Sequence, residues 1–234
     1  MSIDQNVARI RERIASAACR AGRNPDDITL MAVSKTHPPE LIRDAYGAGL
    51  RVFGENRVQE LSGKAAALVD LKDATWHLIG HLQSNKAARA AELFDAIDSV
   101  DSLKLAEKLN SSARVRGKVL EVLIEINVGG EAAKSGLSPD SQELENILNA
   151  APRLDHLEVR GLMTIPPFTE NPEDARPYFR QLRELRDEIG SRNLPAVSMD
   201  VLSIGMSHDF EIAIEEGSTC VRVGTAIFGE RGKK

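Results

Sequence analysis

Lys35 stands where an apolar run stops. The stretch 28–39 reads ITLMAVSKTHPP, so the lysine closes a strand-like segment and is followed at once by His37 and two prolines. An ammonium at the end of a buried strand loses solvation, and a second nearby cation disfavours it further, so its pKa falls. A neutral amine of this kind can attack an aldehyde. The second cation is Arg222, in TCVRVG (219–224). Alternation along that strand puts Cys220, Arg222 and Gly224 on one face and Val221 and Val223 on the other. The valines suit a helix-facing side, which turns Arg222 inward, where a guanidinium must meet polar groups. That favours a ligand contact over a structural ion pair. Small residues gather nearby, in Ser203-Ile-Gly205-Met-Ser207 and Gly224-Thr225-Ala226. They let backbone N–H groups approach an anion, as the start of a helix also does.

These residues need a frame that brings chain ends far apart in sequence onto one rim. The chain has 234 residues, 42% of them apolar, with few aromatics. Strand-like runs fall at 28–34, 50–54, 75–80, 94–100, 119–128, 157–165, 197–205 and 219–224. Helical stripes lie between them: Val58, Leu61, Ala65 and Leu68; Leu103, Ala106, Leu109 and Ala113; Ala175, Phe179, Leu182, Leu185 and Ile189. Pro177 must sit near the start of the third stripe or kink it, and Ser138-Pro139 reads as an N-cap with proline at the first helical position. An amphipathic helix precedes everything, with Ile3, Val7, Ile10, Ile14 and Ala17 on one stripe. Repeated β-then-α alternation in a chain near ~250 residues points to a single (β/α)8 TIM-type barrel with an extra N-terminal helix, one domain over residues 1–234. An open doubly wound sheet is the other fold compatible with the pattern.

In such barrels the site lies at the carboxyl ends of the strands. Here those ends deliver Ser34-Lys35, Glu55-Asn56, His81, Asn127, Met163-Thr164, Ser203 with Gly205, and Arg222 followed by Gly224-Thr225. An amine at one side of the rim and an anion cradle at the other fit a ligand with an aldehyde at one end and a phosphate at the other. Pyridoxal phosphate (PLP) is such a ligand; some sugar phosphates are too, so a Schiff-base aldolase stays open on these residues. Other chemistries are excluded. GGEAAKSG (129–136) lacks the glycine that a nucleotide loop needs before its lysine. His77 and His81 are four apart on a strand and its exit, too far separated for a zinc pair, so no metal site is expected. His37 and His208, in loops, are expected to be solvated or capping. A net charge of -5 gives no footprint for nucleic acid. No apolar stretch is long enough to span a bilayer. Two distant cysteines, Cys19 and Cys220, fit a reduced cytoplasmic protein.

The segments MAVSKTHP, FGENRVQEL, WHLIGHLQSNK, GLMTI and LSIGMSHDFEIAIEEGSTCVRVGTAIFGER, in this order along nearly the whole chain, resemble the pyridoxal phosphate homeostasis protein family (the YggS or PROSC family). The resemblance implies a single barrel similar to the N-terminal domain of alanine racemase. It implies that Lys35 carries PLP as an internal aldimine, that Arg222 faces the pyridine nitrogen, and that Ser203, Gly224 and Thr225 lie around the phosphate. Asn56, His81 and Met163 fall on family segments near the ring. A protonated Arg222 at the ring nitrogen would weaken the ring as an electron sink. Alanine racemases add a β-rich domain that supplies an opposing tyrosine base. This chain ends about where strand eight closes, and Tyr46 and Tyr178 fall in expected helices. The expectation is therefore a PLP-binding regulatory or carrier protein without clear catalytic activity, rather than a PLP-dependent amino-acid racemase. Its expected partners are PLP and PLP-dependent apoenzymes, with no nucleic acid and no membrane, and its expected state is a monomer or weak dimer.

Overall fold

The eight strand-like runs form eight strands: β1 (Thr29–Val33), β2 (Val52–Glu55), β3 (Thr75–Leu78), β4 (Ala96–Val100), β5 (Leu120–Glu125), β6 (Leu157–Met163), β7 (Val197–Met206) and β8 (Cys220–Val223). In this computed structural model, which describes residues 2–131 and 134–230, they close in sequence order into a parallel barrel. The closure is the pairing of β1 with β8, which sets Met31 opposite Arg222. An open doubly wound sheet has no such pair. The discarded nucleotide-loop reading falls partly on Ala132 and Ala133, which lie outside the described residues.

Nine α-helices are described: α1 (Ile3–Arg20), α2 (Pro39–Gly47), α3 (Val58–Lys64), α4 (Ala87–Leu93), α5 (Leu103–Val115), α6 (Gln142–Ala150), α7 (Arg176–Ser191), α8 (Phe210–Glu215) and α9 (Thr225–Phe228). The helix that follows β8, α9, is a single turn. The N-terminal α1 takes the place of a longer one. Its buried stripe of Val7, Ile10, Ile14 and Ala17 packs with Ala32 of β1 and with Val221 and Val223 of β8. Ser2 and Gln5 close its first turn in a capping box. No described helix is long and apolar enough to cross a membrane.

Period-two alternation sorts the strands. Ala32, Phe53, Val221 and Val223 pack outward against helices, whereas Met31, Val33, Ile79 and Cys220 form a small apolar cluster inside the barrel. The rest of the interior is unusually polar: Asp98, Glu125, Ser203 and Arg222 are all buried. Burying apolar side chains contributes ~1.5–3 kcal/mol each, so the outer layer between barrel and helices supplies the stability and the interior is left for chemistry.

Two expected boundaries move. Pro139 does not begin a helix. The Ser141 N–H donates to the Ser138 carbonyl at 3.1 Å, so residues 138–141 form a turn with the proline at its second position. Ser141 is the cap of α6, its hydroxyl accepting from the Leu144 N–H at 3.3 Å. Proline's fixed φ suits both places, and only the following residues decide. The stripe from Val58 to Leu68 is likewise not one helix. After Gly63 and Lys64 it continues as a 3₁₀ turn over Ala65–Leu68. Pro177 does sit in the first turn of α7, which starts at Arg176.

Candidate functional site

The carboxyl ends of the strands surround a cavity of about 220 Å³. Lys35 enters it two residues after β1, and Arg222 enters from β8. Val33, Ile79, Ile165 and Met206 supply apolar walls, and Asn56, Ser207, Gly224 and Thr225 supply polar ones.

Arg222 is 3% exposed and fully engaged on one side. Its Nη1 donates to the Ser203 carbonyl at 2.6 Å and to Ser203 Oγ at 2.7 Å, and its Nη2 donates to the Thr164 carbonyl at 2.6 Å. A guanidinium has five N–H donors, so these contacts leave capacity toward the cavity that Arg222 also lines. Burial lowers its pKa, against the opposing pull of Cys220, Asp98, Asp209 and Glu125.

On the side of β7 and β8 the Gly224 and Ala226 N–H groups both point to Ser207 Oγ, at 3.3 and 3.4 Å. Long bonds converging on one neutral oxygen are readily given up to an anion, which accepts more strongly. Gly224 has little spare room, since a Cβ there would lie 3.3 Å from the Val33 carbonyl. Asn56 completes the wall. Its Oδ1 is buried with no hydrogen-bond partner among the described residues. Its backbone packs so closely on Gly80 that an added Cβ would lie 2.4 Å from the Asn56 carbonyl.

Of the residues singled out in the sequence, Lys35, Asn56, Arg222, Gly224 and Thr225 line this cavity. Four others expected to touch the cofactor do not reach it. Ser203 lies behind Arg222 as its hydrogen-bond partner, and Met163 is wholly buried. Gly205, at φ +92°, lets β7 approach α8: a Cβ would lie 2.5 Å from that of Ala213. His81 is exposed, bonds Asp101 at 3.1 Å, and lines a neighbouring cavity of about 450 Å³ that shares Asn56. Conversely, His37 and His208 are not merely solvated or capping. Both line the Lys35 cavity, His37 stacked on Phe228 at 4.7 Å and His208 within bonding distance of the Glu170 carbonyl at 3.1 Å. Their loops fold back over the rim, which no local pattern announces. His77 pairs with Asp98 at 3.0 Å inside the barrel, and no group of acids, histidines and cysteines among the described residues is placed to hold a metal.

A closed parallel barrel with a lysine at the end of its first strand and an arginine inside its last is an alanine-racemase-type barrel. The family pattern described as alanine racemase, N-terminal domain, matches residues 3–232. Within that class the chain belongs to the pyridoxal phosphate homeostasis protein family. It is 49% identical to the pyridoxal phosphate homeostasis protein of Aquifex aeolicus over 231 residues, 99% of either chain. PipY of Synechococcus elongatus, solved with PLP bound, superposes with a TM-score of 0.85 at 39% identity, covering 97% of this chain and 100% of PipY. An alanine racemase of Clostridium difficile shares the fold alone, with a TM-score of 0.73 at 15% identity over all of this chain and 58% of the racemase.

Proposed function

We propose that this chain binds PLP, holds it as a Schiff base on Lys35, and serves the intracellular homeostasis of the cofactor as a carrier rather than as an amino-acid racemase. The observation that carries this reading is one cavity bounded by Lys35 on one side and by the converging N–H groups around Ser207 on the other, with Arg222 between the barrel interior and the open space. The names of the relatives and the PLP held by PipY support it.

The residues fit the cofactor. Val33, Ile79 and Met206 can take the ring faces, and the buried Asn56 Oδ1 can accept from a ring hydroxyl. Gly224, Thr225 and Ser207 can receive the phosphate, and Arg222 has donors left for a ring nitrogen. PLP itself supplies an electrophilic aldehyde and, once linked, an electron-withdrawing ring. Lys35 would hold the cofactor: its neutral Nζ would supply the lone pair for the aldehyde carbon, and the two N–H protons would depart with the carbonyl oxygen as water. The carrier reading is supported by the tyrosines, since Tyr46 is tied to Asp73 and stacked under Arg51 at 4.0 Å, while Tyr178 lies on α7. Neither lines the cavity. The same proposal takes the barrel as one cytoplasmic domain, monomeric or weakly dimeric, with PLP-dependent apoenzymes as recipients. Asn56, Gly224, Thr225 and Arg222 are its proposed contacts, with Ser203 acting through Arg222.

Borohydride reduction after incubation with PLP, followed by peptide mapping, is expected to place the adduct on Lys35. Pyridoxal lacking its phosphate should label far more weakly. An adduct on another lysine, or equal labelling by the two aldehydes, would overturn the assignment.

A further inference from the structure

Lys35 occupies the second position of a tight turn. The His37 N–H donates to the Ser34 carbonyl at 3.1 Å. Thr36, at the third position, has φ +66°. That position favours glycine, and a β-branched residue there is strained. The turn is therefore poor by its own chemistry, and something must hold it.

A buried network outside the cavity does so. Nζ of Lys64, the last residue of α3, donates to the Ser34 carbonyl at 3.0 Å, to Glu55 Oε1 at 2.9 Å and to Glu60 Oε1 at 3.1 Å. Glu60 Oε1 also accepts the Thr36 N–H. The hydroxyl of Ser34 donates to Glu55 Oε1 at 2.7 Å. Lys64 is 9% exposed and Glu55 is wholly buried. The peptide groups on both sides of Lys35 are thus gripped by one set of side chains: Lys64 takes the carbonyl before it, and Glu60 takes the N–H after it. None of the three charged residues lines the Lys35 cavity. A buried ion network gives little net stability against an apolar replacement, so stability alone does not account for its placement here.

We propose that Lys64, Glu60 and Glu55 are positioning residues for Lys35: they clamp the strained turn so that the nucleophilic amine is presented at a fixed point on the cavity rim. The inference rests on the PLP reading above for what Lys35 attacks, but the clamp itself is a property of the cofactor-free chain. Charge-assisted hydrogen bonds at the two flanking peptide groups restrict the lysine backbone. A nucleophile held in place reacts faster than one that must search, because its ordering has already been met in folding.

The test uses two variants, Glu60→Ala and the double change Lys64→Met with Glu55→Gln, the second chosen so that the wholly buried Glu55 carboxylate is not left beside an absent cation. Three quantities are read on each: amide hydrogen exchange at Thr36 in cofactor-free protein, the rate of covalent attachment of PLP to Lys35, and noncovalent binding of pyridoxine phosphate, which has the ring and phosphate but no aldehyde. Loss of one charge-assisted bond should speed Thr36 exchange and slow covalent attachment, each by about tenfold, the equivalent of ~1.4 kcal/mol. Pyridoxine phosphate should bind within about twofold of wild type, since the cavity walls are untouched. Wild-type attachment rates in folded variants would overturn the clamp, as would equal loss of pyridoxine phosphate binding, which marks general collapse. If the unaltered protein attaches no PLP, the PLP reading falls instead. Thr36 exchange then decides the clamp alone: protection in the parent that is lost in the variants upholds it, and unchanged exchange overturns it.

Discussion

Arg222 is tolerated inside the barrel because its surroundings are built for it. Two backbone carbonyls and the Ser203 hydroxyl accept from it, and Asp98, Asp209 and Glu125 provide negative charge. Removing the guanidinium would strand these oxygens in a buried place, at roughly 1–3 kcal/mol for each unsatisfied group. Arg222→Met is therefore expected to lower the unfolding free energy in urea by ~3 kcal/mol even without cofactor. Arg222→Lys should recover only part of this, because a point-like ammonium cannot span Ser203 and Thr164 as a planar fork does. Equal stability of the methionine variant and the parent would show that the arginine is not a structural keystone. Cys220, next along the same inner face, is a contrasting case. Burial pushes its thiol up to about 12, so it packs as a small apolar group while Arg222 carries the charge.

Among the elements, α1 links the framework to the site. It covers β8 and β1, the two strands that carry Arg222 and lead into Lys35. Arg13 pairs with Glu211 of α8 at 2.6 Å, and Asn6 donates to the Ile227 carbonyl of α9 at 2.8 Å. Ile10 is fully buried in that contact. Ile10→Ala should cost about 2–5 kcal/mol, read as a lowered urea midpoint with an unchanged slope. A change below ~0.5 kcal/mol, the size expected of a surface site, would mean that α1 is dispensable to the barrel. The amphipathic stripe of α1 was legible in the sequence, as were all eight strands, because both depend on periodicity over a few neighbouring residues. The inward face of β8 was legible for the same reason. Other features were set by distant parts of the chain. Gly205 reads like an anion-loop glycine, yet what it accommodates is the Cβ of Ala213. His37 and His208 reach the cavity through loop paths. Glu60 and Lys64 have the i,i+4 spacing common to helix surface pairs, which marks no site in the sequence, and their inward role becomes visible only once Glu55 and the turn at Thr36 are in place.

Across the whole molecule, two sets of buried groups respond to pH in opposite directions, set by whether cations surround them. Outside, Arg176, Arg180 and Arg183 converge on Glu216 at 2.9–3.1 Å. Burial alone would raise its pKa, but the arginines outweigh this and hold it below the usual range. Glu216 thus contributes stability that is present above the ~4.3 of an unfolded glutamate and is lost as pH falls through its lower folded value. At three other buried carboxyls, Glu55 against α3, Glu125 inside the barrel and Asp209 at the start of α8, burial raises the pKa. Asp98 raises His77 against its own burial. For each of these the native protein keeps a proton that the unfolded chain gives up. Their favourable contribution is complete below the unfolded values, ~3.9–4.3 for the acids and ~6.5 for histidine, and is lost as pH rises through the higher folded ones. The cofactor-free protein should therefore become less stable to urea as pH rises above about 4.3, and further as it rises above about 6.5 where His77 joins. Glu125 isolates one part of this. It is 5% exposed, takes a hydrogen bond from Ser135 at 3.1 Å on one oxygen, and has no partner among the described residues on the other. Glu125→Gln removes the titrating proton while keeping an acceptor for Ser135. The variant should gain on the parent in unfolding free energy as pH rises, since only the parent must bury a bare carboxylate at high pH. A difference between the two proteins that stays constant from about pH 4 to 8 would show that Glu125 titrates as it does in water, and would remove it from the groups that set this slope.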